Sequence, residues 1–491
     1  MRNYLLAGAA MFGATMAVQG STFAQTPPAP APVLAAPPMG TLITPNGGKS
    51  ANDNNNYQAV QIPGAVVNPT PGSMVIRLNG KIWTEYGYAG STASTVPGAK
   101  NTSNAGLGTY FRLYPGFDAM ATNGLRYGGQ VEIRENFGGT QSGTVGAQSN
   151  TGNTGTSGLT CSQTLYVRRD FVWVAYDTVG IVRLGQGDGV SGIFDNGIAT
   201  QQGYGQGGWN GDASAFIPNT NMGPSYPWYS QQGAEYGSNK IVYLSPQFFG
   251  FDVGLDYAPN NGNIESGGGV GNTPGTGSVP LVSSVTPPDG TRFINQYQAG
   301  VRYQSSFGPV AVYAFADYIG SGHVDYTGTP LAAQSAAGAP AGSKYTGKFK
   351  DDNVGFVGAE FTIGGLAIGG AWQGGNYNDP ATSLGTQPVN GAKANAYTVG
   401  ALYTIGALSF GGSWYGFDSQ GSVALTGISQ RHENGFGIGV NYTIAPGLNP
   451  YMEALYGTRH QGDYNFATGA VGTANNSVWS EAIILGIQVG W

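Results

Sequence analysis

The sequence predicts an all-β fold: a transmembrane, antiparallel β-barrel of about 16 strands. Three observations carry this reading. Runs that alternate apolar and polar residues recur from Ser73 to Trp491, and period two belongs to strands. The connections between the runs alternate between short and long. The composition is rich in Gly (84) and aromatics (12%) and holds only 9% charged residues, against roughly 25% in ordinary soluble domains.

The first residues, "MRNYLLAGAAMFGATMAVQGSTFAQ", read as a secretory signal peptide over 1–24. Arg2 is the positive end, Tyr4 to Val18 the apolar core, and "TFA" precedes Gln25 as a small-residue cleavage site. Export follows from it. Residues 25–72 are Pro/Ala-rich ("TPPAPAPVLAAPP") and then Asn-rich ("NGGKSANDNNNYQ"), without heptads. Such a segment has too little apolar surface for a core and is expected to be a flexible periplasmic leader. No later segment has the 18 apolar residues of a membrane helix.

The barrel domain is expected over 73–491, with strands near 73–88, 109–121, 124–137, 164–177, 180–187, 238–246, 249–258, 292–306, 309–319, 349–363, 365–376, 393–405, 407–418, 432–445, 449–460 and 478–491. The tight turns are "ATNG", "DTVG", "SPQFFG", "SFGP", "IGG", "TIGA" and "APGLNP". Between them lie the long loops near 89–108, 138–163, 188–237, 259–291, 320–348, 377–392, 419–431 and 461–477. Loop lengths sorted by parity fit a barrel with short periplasmic turns and long outer loops, and an even strand number puts both termini in the periplasm. A soluble sandwich has no reason for such sorting.

Individual strands show two solvents. In the first, Ile76, Leu78, Ile82, Tyr86 and Tyr88 oppose Arg77, Asn79, Lys81 and Glu85. Near 251–257, Phe251, Val253, Leu255 and Tyr257 oppose Asp252 and Asp256. Near 433–444, Phe436, Ile438, Val440, Tyr442 and Ile444 oppose Glu433 and a row of glycines. In the last, "WSEAIILGIQVGW", Trp479, Ile483, Leu485, Ile487, Val489 and Trp491 share a face. An Arg or Lys facing lipid at the midplane costs roughly 2–4 kcal/mol, so the charged faces are assigned to a wet lumen. Strands 164–177 and 309–319 do not alternate cleanly, and either Arg168 or Arg169 points inward.

Other signals are weak. "GYGQGG" at 203–208 satisfies a G-x-G-x-x-G pattern but neither follows a strand nor opens an amphipathic helix, so it reads as loop. His323, His432 and His460 are scattered and have no Ser, Asp or Cys motif beside them, so solvated surface positions are expected. Cys161 is the lone cysteine and is expected to be a free thiol. Trp83, Trp372, Trp414, Trp479 and Trp491 are assigned to a lipid-interface girdle, with sugar stacking in the lumen as the alternative. The formal net charge of −6 has the wrong sign for a nucleic-acid binder. No cofactor, metal or catalytic constellation is expected.

Two segments carry a family resemblance. "DTVGIVRLGQGDGVSGIFDNG" (177–197) resembles the turn, strand and start of the third loop in the trimeric, sixteen-stranded general diffusion porins of Gram-negative bacteria. "SNKIVYLSPQFFGFDVGLDYAP" (238–259) resembles that family's Asn, Tyr, Ser-Pro, Phe, Gly-Phe stretch, with Ser238 where a basic residue is common. "RRDFVWVAY" is a looser match, and Trp491 stands where the family's assembly signal usually ends in Phe.

The resemblance implies a third loop, here 188–237, folded into the lumen with acidic groups facing a basic wall. The candidates on the loop are Asp188, Asp195, Asp212 and Glu235. Those on the wall are Arg77, Lys81, Arg112, Arg126, Arg134, Arg169 and Arg183. For each, a rim charge or a salt bridge within the wall is the plainer reading.

The expected activity is passive diffusion of small hydrophilic solutes and ions through an outer-membrane channel, without catalysis. The alternatives are a sugar- or anion-selective channel and, from another class, a barrel enzyme or adhesin. Expected partners are the lipid bilayer and lipopolysaccharide, two further copies in a homotrimer, and the barrel-assembly machinery through the C-terminal strand.

Overall fold

The computed structural model describes residues 69–92, 104–135, 165–194, 239–260, 293–323, 351–377, 392–419, 431–468 and 470–491. Its barrel strands are β1 (Ser73–Ser91), β2 (Ala105–Met120), β3 (Arg126–Glu135), β4 (Leu165–Tyr176), β5 (Gly180–Gln186), β6 (Asn239–Leu244), β7 (Phe251–Asn260), β8 (Phe293–Phe307), β9 (Val310–His323), β10 (Asn353–Ile363), β11 (Leu366–Tyr377), β12 (Ala392–Ile405), β13 (Leu408–Ser419), β14 (Arg431–Tyr442), β15 (Leu448–Gln461) and β18 (Ser477–Gly490). A two-stranded ribbon, β16 (Tyr464–Asn465) and β17 (Ala470–Val471), lies in the last loop. The described residues also form a single-turn helix, α1 (Val190–Phe194), after β5.

Every barrel strand pairs antiparallel with its neighbours, and β1 pairs with β18, so the sheet closes. Trp491 exchanges two backbone hydrogen bonds with Gly80 (3.0 and 3.1 Å) at this seam. Closure removes both sheet edges, as lipid requires of any strand-built crossing.

The sequence-predicted strands are all present. β2 starts at Ala105, four residues earlier than expected, because the β1–β2 ladder continues to Tyr88↔Ala105. The short turns are tight for a common reason. Each places a glycine at positive φ: Gly124, Gly180, Gly250, Gly308, Gly364, Gly406 and Gly447. At 249–250 the two successive positive-φ residues, Phe249 and Gly250, push the rings of Phe248 and Phe249 outward, where they sit 4.4 Å apart.

The outer wall is apolar and exposed. Ile76, Leu78, Val172, Val174, Val253, Leu255, Val399, Ile438 and Ile487 all face outward. So large an apolar surface belongs against hydrocarbon. Aromatics band it at both ends, with Tyr403 and Phe410 on the short-turn side and Trp414 and Phe436 towards the long loops.

The inner wall carries the charge. Burial alternates as predicted in β1, β7, β14 and β18. The two strands without clean alternation have separate causes. In β4, Glu132 of β3 faces Arg169 while the adjacent Ile133 faces Val167, so Arg168 is an extra residue in a bulge. The bulge reverses the phase. Leu165 and Val167 are exposed, whereas Arg169, Phe171 and Trp173 are buried on the lumen side. In β9, Phe315 and Ile319 point inward because they help to seat α1.

Candidate functional site: the luminal wall and the third loop

The chain leaves β5 through Gln186–Gly189 and turns into the lumen, where α1 lies against the inner faces of β7, β8 and β9. Val190, Ile193 and Phe194 are fully buried there. Glycine makes the approach possible: a Cβ at Gly254 would meet Val190 at 2.8 Å and Phe194 at 3.0 Å.

Polar contacts fix the segment on two sides. On one, Asp256 Oδ2 accepts the Val190 amide at 2.6 Å. Gln298 Oε1 accepts the Ser191 amide at 2.9 Å and its hydroxyl at 2.8 Å. These side chains satisfy helix amides that have no partner within the single turn. Tyr313 donates to the Phe194 carbonyl at 2.8 Å. On the other side, Lys240 Nζ donates to the Gly187 carbonyl (2.8 Å) and Arg183 Nη2 to the Asp188 carbonyl (2.7 Å). Arg169 joins the Asp188 carboxylate at 2.8 Å while its other nitrogen meets Glu132 at 2.8 Å.

The predicted residues divide accordingly. Arg169, Arg183 and Asp188 are brought together. Arg77 lies on the same wall but is ion-paired with Asp118 of the adjacent strand. Lys81 and Arg112 are directly opposed in register, and both lie over the Trp83 ring, 4.1 and 5.2 Å from its centroid. The negative ring face lessens the repulsion of two facing cations. Arg126 lies 5.8 Å from the Trp173 ring. The Arg134 backbone pairs with Arg112, but its side chain lies outside the described residues. Asp195, Asp212 and Glu235 lie outside the described residues altogether.

Trp83 corrects an expectation. The sequence places it in the lipid girdle, yet it shares the lumen face with Lys81 and Glu85 and is 1% exposed. Odd positions of β1 face inward, and Trp83 is one of them. Trp372, Trp414 and Trp491 do face outward.

Several further residues at the site carry little signal in the sequence. Asp252 and Asp256 were already on the inward side of their strand. Asp252 holds Arg302 through two nitrogens (2.5 and 3.1 Å), and the Arg302 guanidinium lies 4.6 Å from the Phe194 ring. Lys240 alternates with the lipid-facing Ile241 and places a buried cation two residues beyond Ser238. Gln298 carried no signal, because it is 107 residues from its partner.

A second luminal cluster lies under the last long loop. Arg459 grips Glu433 (2.8 and 3.2 Å), and Arg431 donates to Gln461 (2.7 Å). Tyr464 and Phe466, in the loop, turn inward over these arginines. The Arg431 guanidinium is 5.2 and 5.1 Å from the two rings.

A model of the Gram-negative porin family matches residues 73–478. The chain belongs to that family. As its members do, this porin forms a channel in the outer membrane. Curated proteins give no sequence match. Among solved structures, the porin is similar to the anion-selective porin from Comamonas acidovorans, with 17% identity and a TM-score of 0.48, covering 85% of this chain and 100% of that one. It is also similar to the outer-membrane protein OmpT of Vibrio cholerae (15% identity, TM-score 0.46, 86% and 99% covered). A substituted form of the Rh. blastica porin matches at 12% identity and TM-score 0.41, with 85% and 100% covered.

Proposed function

We propose that the porin passes small hydrophilic solutes and ions by passive diffusion, without catalysis, and that the third loop sets its narrowest passage. The observation that carries this is the loop's double attachment: Asp188 on Arg169 at one side, and the Val190 and Ser191 amides on Asp256 and Gln298 at the other. A loop so held narrows the lumen and sets the Asp188 carboxylate against the basic wall. Opposed charges order water and favour polar over apolar solutes.

Of the basic wall, Arg169 and Arg183 bound that passage, with Lys240 beside them. Arg77, Lys81, Arg112, Arg126 and Arg134 form a ladder along the wall, and Asp195, Asp212 and Glu235 complete the acidic loop. Cleavage of 1–24, the leader over 25–72, periplasmic termini, the homotrimer, and contacts with lipopolysaccharide and the assembly machinery belong to the same reading.

A sugar-selective channel would present open aromatic faces to the lumen. Trp83 and Trp173 face inward, but they are only 1% and 2% exposed, with cations against their rings. That burial favours the general channel. Planar-bilayer recording with a salt gradient, then sugars, tests the reading. Conductance steps in threes with no saturable block support it. Inserted barrels that do not conduct refute diffusion, and saturable block by a sugar or an anion shifts the assignment to a selective channel.

A further inference from the structure

The sequence contains three histidines and gave no reason to associate them. The fold does. His432 of β14 and His460 of β15 are directly opposed in register. They continue a row across four strands, because Asp418 of β13 opposes His432 and Ser477 of β18 opposes His460. The row lies on the outer face at the long-loop end, and the His432 side chain is 52% exposed.

Each imidazole is oriented through its Nδ1. His432 Nδ1 is 2.6 Å from Asp418 Oδ1, and His460 Nδ1 is 2.7 Å from Ser477 Oγ. A carboxylate only accepts, so His432 Nδ1 carries the proton and its neutral ring keeps a lone pair on Nε2. The Ser477 hydroxyl can rotate to accept from His460 Nδ1, which leaves Nε2 of that ring as the lone-pair nitrogen too. A ring held by Nδ1–H on a carboxylate or hydroxyl is the usual second shell of a metal-bound histidine.

We propose that His432 and His460 chelate one divalent transition-metal ion through their Nε2 atoms, with Asp418 and Ser477 positioning the rings. Directly opposed side chains have Cβ atoms about 4.5–5.5 Å apart, within reach of one ion with metal–nitrogen bonds of about 2.0–2.1 Å. The protein supplies two ligands, Asp418 being engaged on Nδ1 of His432, and water fills the remaining positions. The site is open to ions. It stands four residues beyond the Phe436 and Tyr456 pair, about 13 Å further along the strands and past the aromatic band. Two neutral imidazoles favour Cu²⁺ over Zn²⁺.

The test is calorimetric titration of the folded full-length barrel in detergent with Zn²⁺, together with electron paramagnetic resonance of added Cu²⁺. One saturable ion per chain and a Cu²⁺ spectrum with two equatorial nitrogens are expected. His432→Gln or His460→Gln should weaken binding at least about tenfold, and Asp418→Asn about tenfold. The double variant H432Q/H460Q, which keeps His323, should lose the site while its conductance is unchanged. Absence of saturable binding, a single-nitrogen spectrum, or full binding by the double variant would overturn the assignment.

Discussion

Consider the double variant D256A/Q298A, which removes the acceptors that hold α1 against the inner faces of β7 and β8. The Asp256 carboxylate accepts one amide at 2.6 Å, and hydrogen bonds to charged groups contribute about 1.5–3 kcal/mol each. Gln298 accepts from the Ser191 amide and hydroxyl, two neutral bonds of about 0.5–1.5 kcal/mol each. The groups share one short segment, so simple addition overstates the effect. A combined loss of about 3 kcal/mol is a cautious figure. At about 1.4 kcal/mol per factor of ten, the detached loop becomes roughly a hundredfold more populated. Val190, Ile193 and Phe194 still hold apolar contacts, so the barrel itself should remain folded. Single-channel recording reads the change. Open-channel current should become noisier, with excursions to a second conductance level. Protease added from the long-loop side should cleave between 195 and 238 faster than in the parent. A variant with parental current noise and cleavage would show that these two acceptors do not hold the loop.

Three further outcomes are expected. Lys240→Gln removes a buried cation from beside Gly187, so the reversal potential in a salt gradient should shift towards cation preference; an unchanged potential would remove Lys240 from the ion path. Arg459→Met leaves Glu433 buried without its two-pronged partner, at a cost of about 3–5 kcal/mol, and should lower the temperature at which the barrel loses its heat-resistant gel mobility. The R459M/E433M double variant should recover most of that loss, and failure to recover would mean the defect is not an orphaned charge. Phe466→Ala deletes a ring packed 5.0 Å from Tyr464, a change of about 3–5 kcal/mol for a buried aromatic, and should raise conductance by freeing the last loop from the lumen; identical conductance would place that loop clear of the ion path.

The barrel was legible because its signals are local. A period of two tells the two solvents apart, and a glycine in every short turn marks the hairpins. Where β4 and β9 resisted reading, the cause was not local. An extra residue at Arg168 shifts phase in a way that one strand's letters do not reveal, and Phe315 and Ile319 face inward for a helix 120 or so residues upstream. The five residues of α1 are too few to show a helical period. Arg169, Arg183 and Asp188, which lie together in the structure, are all named by the sequence, Arg169 through a resemblance rather than alternation. Asp256 and Gln298 were missed because their partners lie 66 and 107 residues away. The His432–His460 pairing was hidden for another reason: the two lie on one hairpin, and their opposition depends on its register alone.

The seam between β1 and β18 governs the order of events in time. Tyr451 reaches Glu85 across 366 residues, and Thr92 reaches Trp479 across 387. Contacts of such span form late, because the intervening chain must first be gathered. Until β18 arrives, β1 remains an unpaired edge able to recruit any other strand. Assembly of this wall is therefore decided at its last step. A chain held back before that step has every hairpin available and no sealed wall, and it exposes a strand edge at each end of the sheet.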